Sequence, residues 1–286
     1  PRSTPLYSSA ASDVYKRQNI YCLYFVFNFR LMKINIFFVF TLIFAFSCKS
    51  DETDSSETEN IQIPFEIYER VYGVTSNIYQ DNNWVYINVN SLPDHGSPYY
   101  EGTQWEESLY VPYDGSNPFV SNFILNPNRI SVQNILFKIP RNPTQSSIIN
   151  PTQMGPIGVA LNGIPFYNQY GAGGNPLDQE INSFDQYNGH PAPGTSGGRY
   201  HYHMEPFWLT DNYGRDALIG FLLDGYPIYG PEENGLDLIS SDLDEFHGHF
   251  HENQDFPNGI YHYHITADAP YLNGVGYYGL PGTVTQ

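Results

Sequence analysis

The sequence predicts a mainly β fold: a single globular domain built from an internal duplication, with short helices ending at Gly-His corners. Three observations predict it. From Ile61 onward the chain is rich in Tyr, Phe, Gly, Pro and Asn and has no long apolar pattern of period 3.6, which favours short strands and many turns. In Trp84-Val85-Tyr86-Ile87-Asn88-Val89 the two faces alternate, as a half-buried strand requires. Three sequence blocks then recur in one order at nearly constant spacing.

The chain has 286 residues, and its beginning does not read as part of the fold. Residues 1–31 resemble translated sequence from outside a gene. Met32 is the better start, because Lys33 gives a short positive segment and Ile34 to Phe46 an apolar run too short to cross a bilayer as a helix. Ala45-Phe46-Ser47-Cys48 resembles the cleavage and lipidation motif of bacterial lipoproteins, so 32–47 reads as a signal peptide and Cys48 as the lipid acceptor. Residues 48–62 are acidic and carry almost no large apolar side chain, the composition of a disordered tether. The expected address is the cell envelope, lipid-anchored at the outer membrane or cell surface, with the membrane as a partner through Cys48.

Cleavage before Cys48 removes five of the 12 Lys and Arg and one of the 30 Asp and Glu, leaving a formal charge of 7 − 29 = −22. Nucleic acid is therefore an unsuitable partner, since it requires clustered positive charge. Cys48 also becomes the only cysteine. Disulfides, thiolate metal sites and cysteine nucleophiles are excluded, and any chemistry must use His, carboxylates, Tyr or backbone.

Within the domain, 63–286, strands are expected at Trp84–Val89, Ile130–Ile139, Ile157–Leu161, Gly198–Met204, Leu218–Leu223 and Ile260–Thr266. The repeat copies run over about 157–209 and 219–270. Gly158 to Tyr167 aligns with Gly220 to Tyr229 at an offset of 62, each an apolar strand entering an Asn-Gly or Asp-Gly turn. Phe184 to His190 aligns with Leu243 to His249 at 59, and Tyr200-His201-Tyr202-His203 with Tyr261-His262-Tyr263-His264 at 61. In the middle block, Ser183 and Ser240 or Ser241 are placed to cap short helices that stop at Gly189 and Gly248, with Asp185 and Asp244 on the last turn. The two copies are expected to pack about a pseudo-two-fold axis with the Tyr-His-Tyr-His strands as near neighbours.

Eight of the nine histidines lie in or beside these blocks. Strand residues two apart share a face. His201 with His203, and His262 with His264, therefore present two imidazoles each to one side, and His190 or His249 from a Gly-His corner completes three nitrogens. These six are the candidate ligands. The neutral, nitrogen-rich, thiol-free set suits a divalent transition metal: copper, zinc, or iron where a carboxylate joins. Additional or second-layer candidates are His95 and Asp94 in Pro93-Asp94-His95-Gly96, His247 and His251, and Asp185 and Asp244, whose carboxylates are suited to accept the second ring N–H of a ligand histidine. His247 and His251 have no counterpart in the first copy, so an asymmetric site is expected rather than two identical ones.

The paired Tyr-His-Tyr-His strands, the Asp-x-x-x-Gly-His corners, the Asn-Gly-x-Pro turn and the Pro-Asp-His element resemble the YHYH family of bacterial exported proteins over about Trp84 to Thr266. The resemblance implies an extracytoplasmic domain with functional histidines and brings no catalytic assignment. Metal handling and metalloenzyme chemistry lead the functional readings. Metal-free acid–base catalysis by Asp and His is a further one. A serine hydrolase is disfavoured because no Gly-x-Ser-x-Gly elbow occurs and Thr195-Ser196-Gly197-Gly198 reads as a loop. The alternative from a different class is a surface module for glycans or proteins, with 25 Tyr and 3 Trp as stacking faces and the histidines structural.

Overall fold

Eighteen short strands carry most of the regular structure, in a computed structural model that describes residues 62–193 and 197–286. The expectations for residues 1–61, namely the leader, the signal peptide, lipidated Cys48 and nearly all of the tether, lie outside the described residues. In the N-terminal third are β1 (Tyr79–Gln80), β2 (Trp84–Val89), β3 (Ile135–Pro140) and β4 (Gln145–Asn150). The first copy supplies β5 (Gly158–Ala160), β6 (Pro165–Phe166), β7 (Tyr170–Gly171), β8 (Asn175–Pro176), β9 (Gly189–Pro191) and β10 (Tyr200–Tyr202). From the second come β11 (Leu218–Leu222), β12 (Pro227–Tyr229), β13 (Glu232–Glu233), β14 (Leu236–Asp237), β15 (Gly248–His251) and β16 (Ile260–His264). Two more, β17 (Tyr277–Gly279) and β18 (Thr283–Thr285), close the chain.

The central sheet has eight strands in the order β15-β16-β12-β11-β5-β6-β10-β9. It is symmetric from its middle outward. The β5–β11 and outer β9–β10 and β15–β16 pairs are antiparallel, and β6–β10 and β12–β16 are parallel. Val159 pairs with Phe221, its own equivalent in the other copy, and this pair marks the pseudo-two-fold axis. The expected axis is therefore present, but the Tyr-His-Tyr-His strands are not neighbours. Four strands separate β10 from β16, and five inter-strand steps amount to about 24 Å. The physical reason lies at the seam, where the copies join through their first strands and send their histidine strands to opposite ends.

Central strands are buried on both faces: every residue of β5, β11 and β16 is buried. A four-stranded sheet, β1-β2-β3-β18, contributes one apolar face, Val85, Ile87 and Val89 with Ile135, Phe137 and Ile139, to the same core as Phe166, Phe221, Tyr202 and Tyr263. The alternation read in Trp84–Val89 reports that half-buried sheet.

The Gly-His corners differ from expectation. Only single 3-10 turns, Ile181–Ser183 and Ser240–Asp242, precede them, and Gly189 and Gly248 lie in strands rather than in left-handed stops. The positive φ belongs to the residue before, Asn188 at 63° and His247 at 75°. The glycines are required for a different reason. A Cβ on Gly189 would stand 2.2 Å from the Tyr200 ring, and one on Gly248 2.5 Å from the Tyr261 hydroxyl.

Candidate metal centres

In the antiparallel β9–β10 pair, His190 stands directly opposite His201, and His203 follows two residues on along the same face. The three imidazoles converge through their Nε2 atoms: His190 to His201 is 3.1 Å and His201 to His203 is 3.0 Å. These contacts are not hydrogen bonds, because the other ring nitrogens fix the tautomers. His201 Nδ1 lies 3.1 Å from the Arg199 carbonyl and His203 Nδ1 2.6 Å from the Asn168 carbonyl; a carbonyl only accepts, so both Nδ1 atoms carry the proton. His190 Nδ1 lies 2.7 Å from Ser183 Oγ, whose own hydrogen goes to the Glu180 carbonyl at 2.8 Å, so Ser183 accepts as well. Three Nε2 lone pairs therefore point at one another inside the protein.

Burial pushes the proton affinity of all three well down, with His203 at about 4, so the rings are neutral at pH 7. A carboxylate borders this first centre. Glu180 Oε2 is 3.6 Å from His190 Nε2, while its Oε1 accepts from the Ala172 N–H at 2.6 Å. The Tyr167 ring stacks on His201 at 3.8 Å, and Phe184 packs against His190 and His203. The histidines open on a cavity of about 670 Å³.

The second centre repeats the design on β15–β16. His249 faces His262 across the pair, and His264 follows. His262 Nδ1 donates to the Ile260 carbonyl at 2.9 Å and His264 Nδ1 to the Gly230 carbonyl at 2.7 Å, the equivalents of the Arg199 and Asn168 acceptors. His264 Nε2 is buried with no hydrogen-bond partner. Burial lowers His262 to about 3 and His264 to about 4. Glu233 Oε1 reaches into the cluster, 3.1 Å from His249 Nε2, 3.8 Å from His264 Nε2 and 3.9 Å from His262 Nε2. Nδ1 of His251 is 3.0 Å from the same oxygen without hydrogen-bond alignment. A smaller cavity, about 360 Å³, adjoins it.

The six candidate ligands thus form two separate clusters, one per copy, and the clusters differ. The donor atoms of Glu233, His249, His262 and His264, and those of His190, His201 and His203, lie within 4.8 Å of one another in each group. Ligands at 2.0 to 2.1 Å around a tetrahedral ion are about 3.3 Å apart, close to the observed nitrogen spacings.

The remaining candidates lie elsewhere. His95 is buried on the tyrosine face of β10, its Nε2 3.2 Å from Tyr202 Oη and its ring 4.4 Å from Tyr187. Asp94 accepts from Tyr72 at 2.9 Å and Asn162 at 3.2 Å. His247 meets Thr266 Oγ1 at 3.0 Å. Asp185 and Asp244 do not hold the ligand rings. Asp185 accepts from Ser97 Oγ at 2.6 Å, Tyr200 Oη at 2.7 Å and two backbone N–H groups, and Asp244 from Tyr261 Oη at 3.0 Å and the Phe246 and Gly248 N–H groups. The tyrosines alternate with the histidines, so an aspartate that locks the tyrosine faces away from the centre.

Sequence reasoning missed both glutamates and placed Ser183 as a helix cap, whereas it ends the 3-10 turn and accepts from His190 Nδ1. Glu233 is a substitution within the repeat: it aligns with Gly171, and a Cβ on Gly171 would fall 2.9 Å from the Glu180 carboxylate carbon. The acid reaches each centre from a different position in the chain. The two hairpins share only Gly173 and Gly235 in sequence, so the repeat itself gave no signal for Glu233.

A sequence family described as YHYH protein matches residues 136–241 and again residues 232–276. No curated protein and no solved structure matches. Both Tyr-His-Tyr-His strands, and the corner histidines that meet them, fall inside the matched span. Over residues 136–276 the chain belongs to the YHYH protein family.

Proposed function

We propose that the domain binds two divalent transition-metal ions, one per repeat copy, and serves metal handling or metalloenzyme chemistry outside the cytoplasm. The observation that carries this reading is the convergence of three Nε2 lone pairs at 3.0 and 3.1 Å in a buried pocket, with every Nδ1 proton committed elsewhere. Without a cation such an arrangement is repulsive and leaves buried acceptors unsatisfied. With one, it is the orientation that ring N–H donors to carbonyls create for metal-bound histidine. His190, His201 and His203 would hold one ion, a nitrogen set suited to copper(II) or zinc. His249, His262, His264 and Glu233 would hold the other, a set that also suits iron. A bound ion would supply Lewis acidity or redox chemistry. The chain's own part is to keep His190, His201, His203, His262 and His264 neutral by burial and to hold their Nδ1 atoms on oxygen partners, which leaves each Nε2 free.

The test is metal content by mass spectrometry after purification without chelators and reconstitution with copper, zinc and iron. Two ions per chain are expected, falling to one in His201→Ala/His203→Ala with the β signature in circular dichroism retained. Metal-free wild type would overturn the reading and favour a surface module for glycans or proteins. The envelope address belongs to the same proposal and rests on Cys48 as lipid acceptor. Cys48→Ser should abolish acyl labelling and membrane association, and unchanged membrane retention in that variant would sink it.

A further inference from the structure

The cavity of the first centre contains a charge that the metal site does not explain. Arg199 is only 4% exposed. Its Nη1 donates to Tyr167 Oη at 3.0 Å, and its Nε is buried without a partner. Among the described residues no carboxylate forms an ion pair with it, whereas Arg70, Arg129 and Arg215 each have one. A buried guanidinium with no counter-ion is strongly unfavourable unless something else supplies the negative charge. Tyr167 stacks on His201, so the guanidinium stands one aromatic ring from the centre, and its field is among the causes that lower the proton affinity of His201. A divalent ion on neutral histidines would add two positive charges to the same cavity, of which the Glu180 carboxylate beside His190 offsets one.

The second copy shows that the fold does not need this arginine. At the equivalent position stands Ile260, whose carbonyl makes the same bond to the histidine ring. There the equivalent tyrosine, Tyr229, donates to Asp255 at 2.9 Å, and Asp255 already binds Arg70 at 2.9 Å. That cavity is also lined by Asp216, Glu232, Glu233 and Glu252. Its charge is complete and acidic.

We infer that the first centre receives a small oxyanion, a carboxylate or phosphate group, held between the metal and the Arg199 guanidinium, and that the second centre receives none. Planar, bidentate recognition of such groups is what arginine provides and an ammonium does not. The rest of the cavity, about 670 Å³ with Leu125, Met154, Pro191 and Asn126 in its walls, accommodates an apolar body attached to the anion. In an acidic chain, formal charge −18, a desolvated cation beside the metal position makes this cavity favourable for an anion. The inference rests on the metal reading above.

The experiment uses the full chain loaded with cobalt(II), whose visible absorption reports its coordination. His262→Ala/His264→Ala empties the second centre so that the spectrum reports the first alone. Titration with acetate and with inorganic phosphate should give a saturable spectral change in the wild type and in this variant, absent with chloride at equal ionic strength. A change with acetate only, or phosphate only, identifies the head group. Arg199→Gln should keep its cobalt and weaken anion binding at least about tenfold, the scale of a lost charged hydrogen bond. Arg199→Lys, which keeps the charge but loses the fork, should fall between and serves as the comparison if Arg199→Gln does not fold. An unchanged spectrum in wild type carrying two cobalt ions would overturn the inference and leave the metal reading intact. So would an anion affinity in Arg199→Gln equal to wild type. Failure to take up cobalt would instead overturn the metal reading itself.

Discussion

Asp224 offers a test of the core that can be read against its own counterpart. It is fully buried beside the seam, accepting from Tyr263 Oη at 2.6 Å, the Gly279 N–H at 2.9 Å and the Tyr226 N–H at 3.3 Å. Desolvation nevertheless raises its carboxyl from 3.8 to about 6. The folded state therefore keeps this proton to higher pH than the unfolded state does. Between pH 3.8 and about 6 the native chain binds more protons than the unfolded one, so stability from this group falls as pH rises, fully present below 3.8 and lost above about 6. A gap of about two pH units corresponds to about 3 kcal/mol. The perturbation is Asp224→Asn, because asparagine mimics the protonated acid and does not titrate; the first copy already carries Asn162 there. Urea unfolding of both proteins from pH 4 to pH 7 supplies the difference in stability, in which other titrating groups cancel. The variant should gain about 2 kcal/mol on the wild type across that range, since the unfolded carboxyl is already more than half ionised at pH 4, whatever constant offset the amide introduces. A difference that stays flat within about 0.5 kcal/mol would refute the claim that a desolvated carboxylate is held there at neutral pH.

Two further expectations concern the histidine strands. Gly189→Ala places a methyl against the buried Tyr200 ring, so it should cost up to about 3 kcal/mol in thermal unfolding; an unchanged midpoint would show that the strand yields freely. Asp185→Ala should cost at least about 3 kcal/mol, because three buried donors and the partly buried Tyr187 N–H lose their acceptor, whereas Asp244→Ala, at an exposed position where water replaces the carboxylate, should cost about 1 kcal/mol. Equal losses in the two would contradict that burial argument.

The duplication and strand types were legible because they depend on local pattern. Trp84–Val89 is observed with the expected bounds, and the period-two spacing of His201 with His203 and His262 with His264 fixes a shared face wherever the strand goes. Strand order was not legible. Nothing in Gly158–Ala160 or Leu218–Leu222 announces that these segments pair with each other rather than with the histidine strands, since both are buried apolar runs. The glycine corners misled for a related reason. A glycine after Asn188 or His247 looks like a left-handed stop, but those two residues take the positive φ themselves, and the glycine is fixed by a tyrosine ring from another strand. Glu233 was missed because it breaks the repeat, and comparing the copies directs attention to what they share.

The pairing of Val159 with Phe221 across the seam has a consequence for how such a protein diversifies. Two separate chains meeting about that axis would form a symmetric dimer, in which any substitution appears twice. Arg199 would then stand in both cavities or in neither, and so would Glu233. Joined in one polypeptide, the halves are released from that constraint. A cation can be kept at one end of the sheet and an acid at the other, which permits a division of labour that an exact dimer is forbidden by its symmetry.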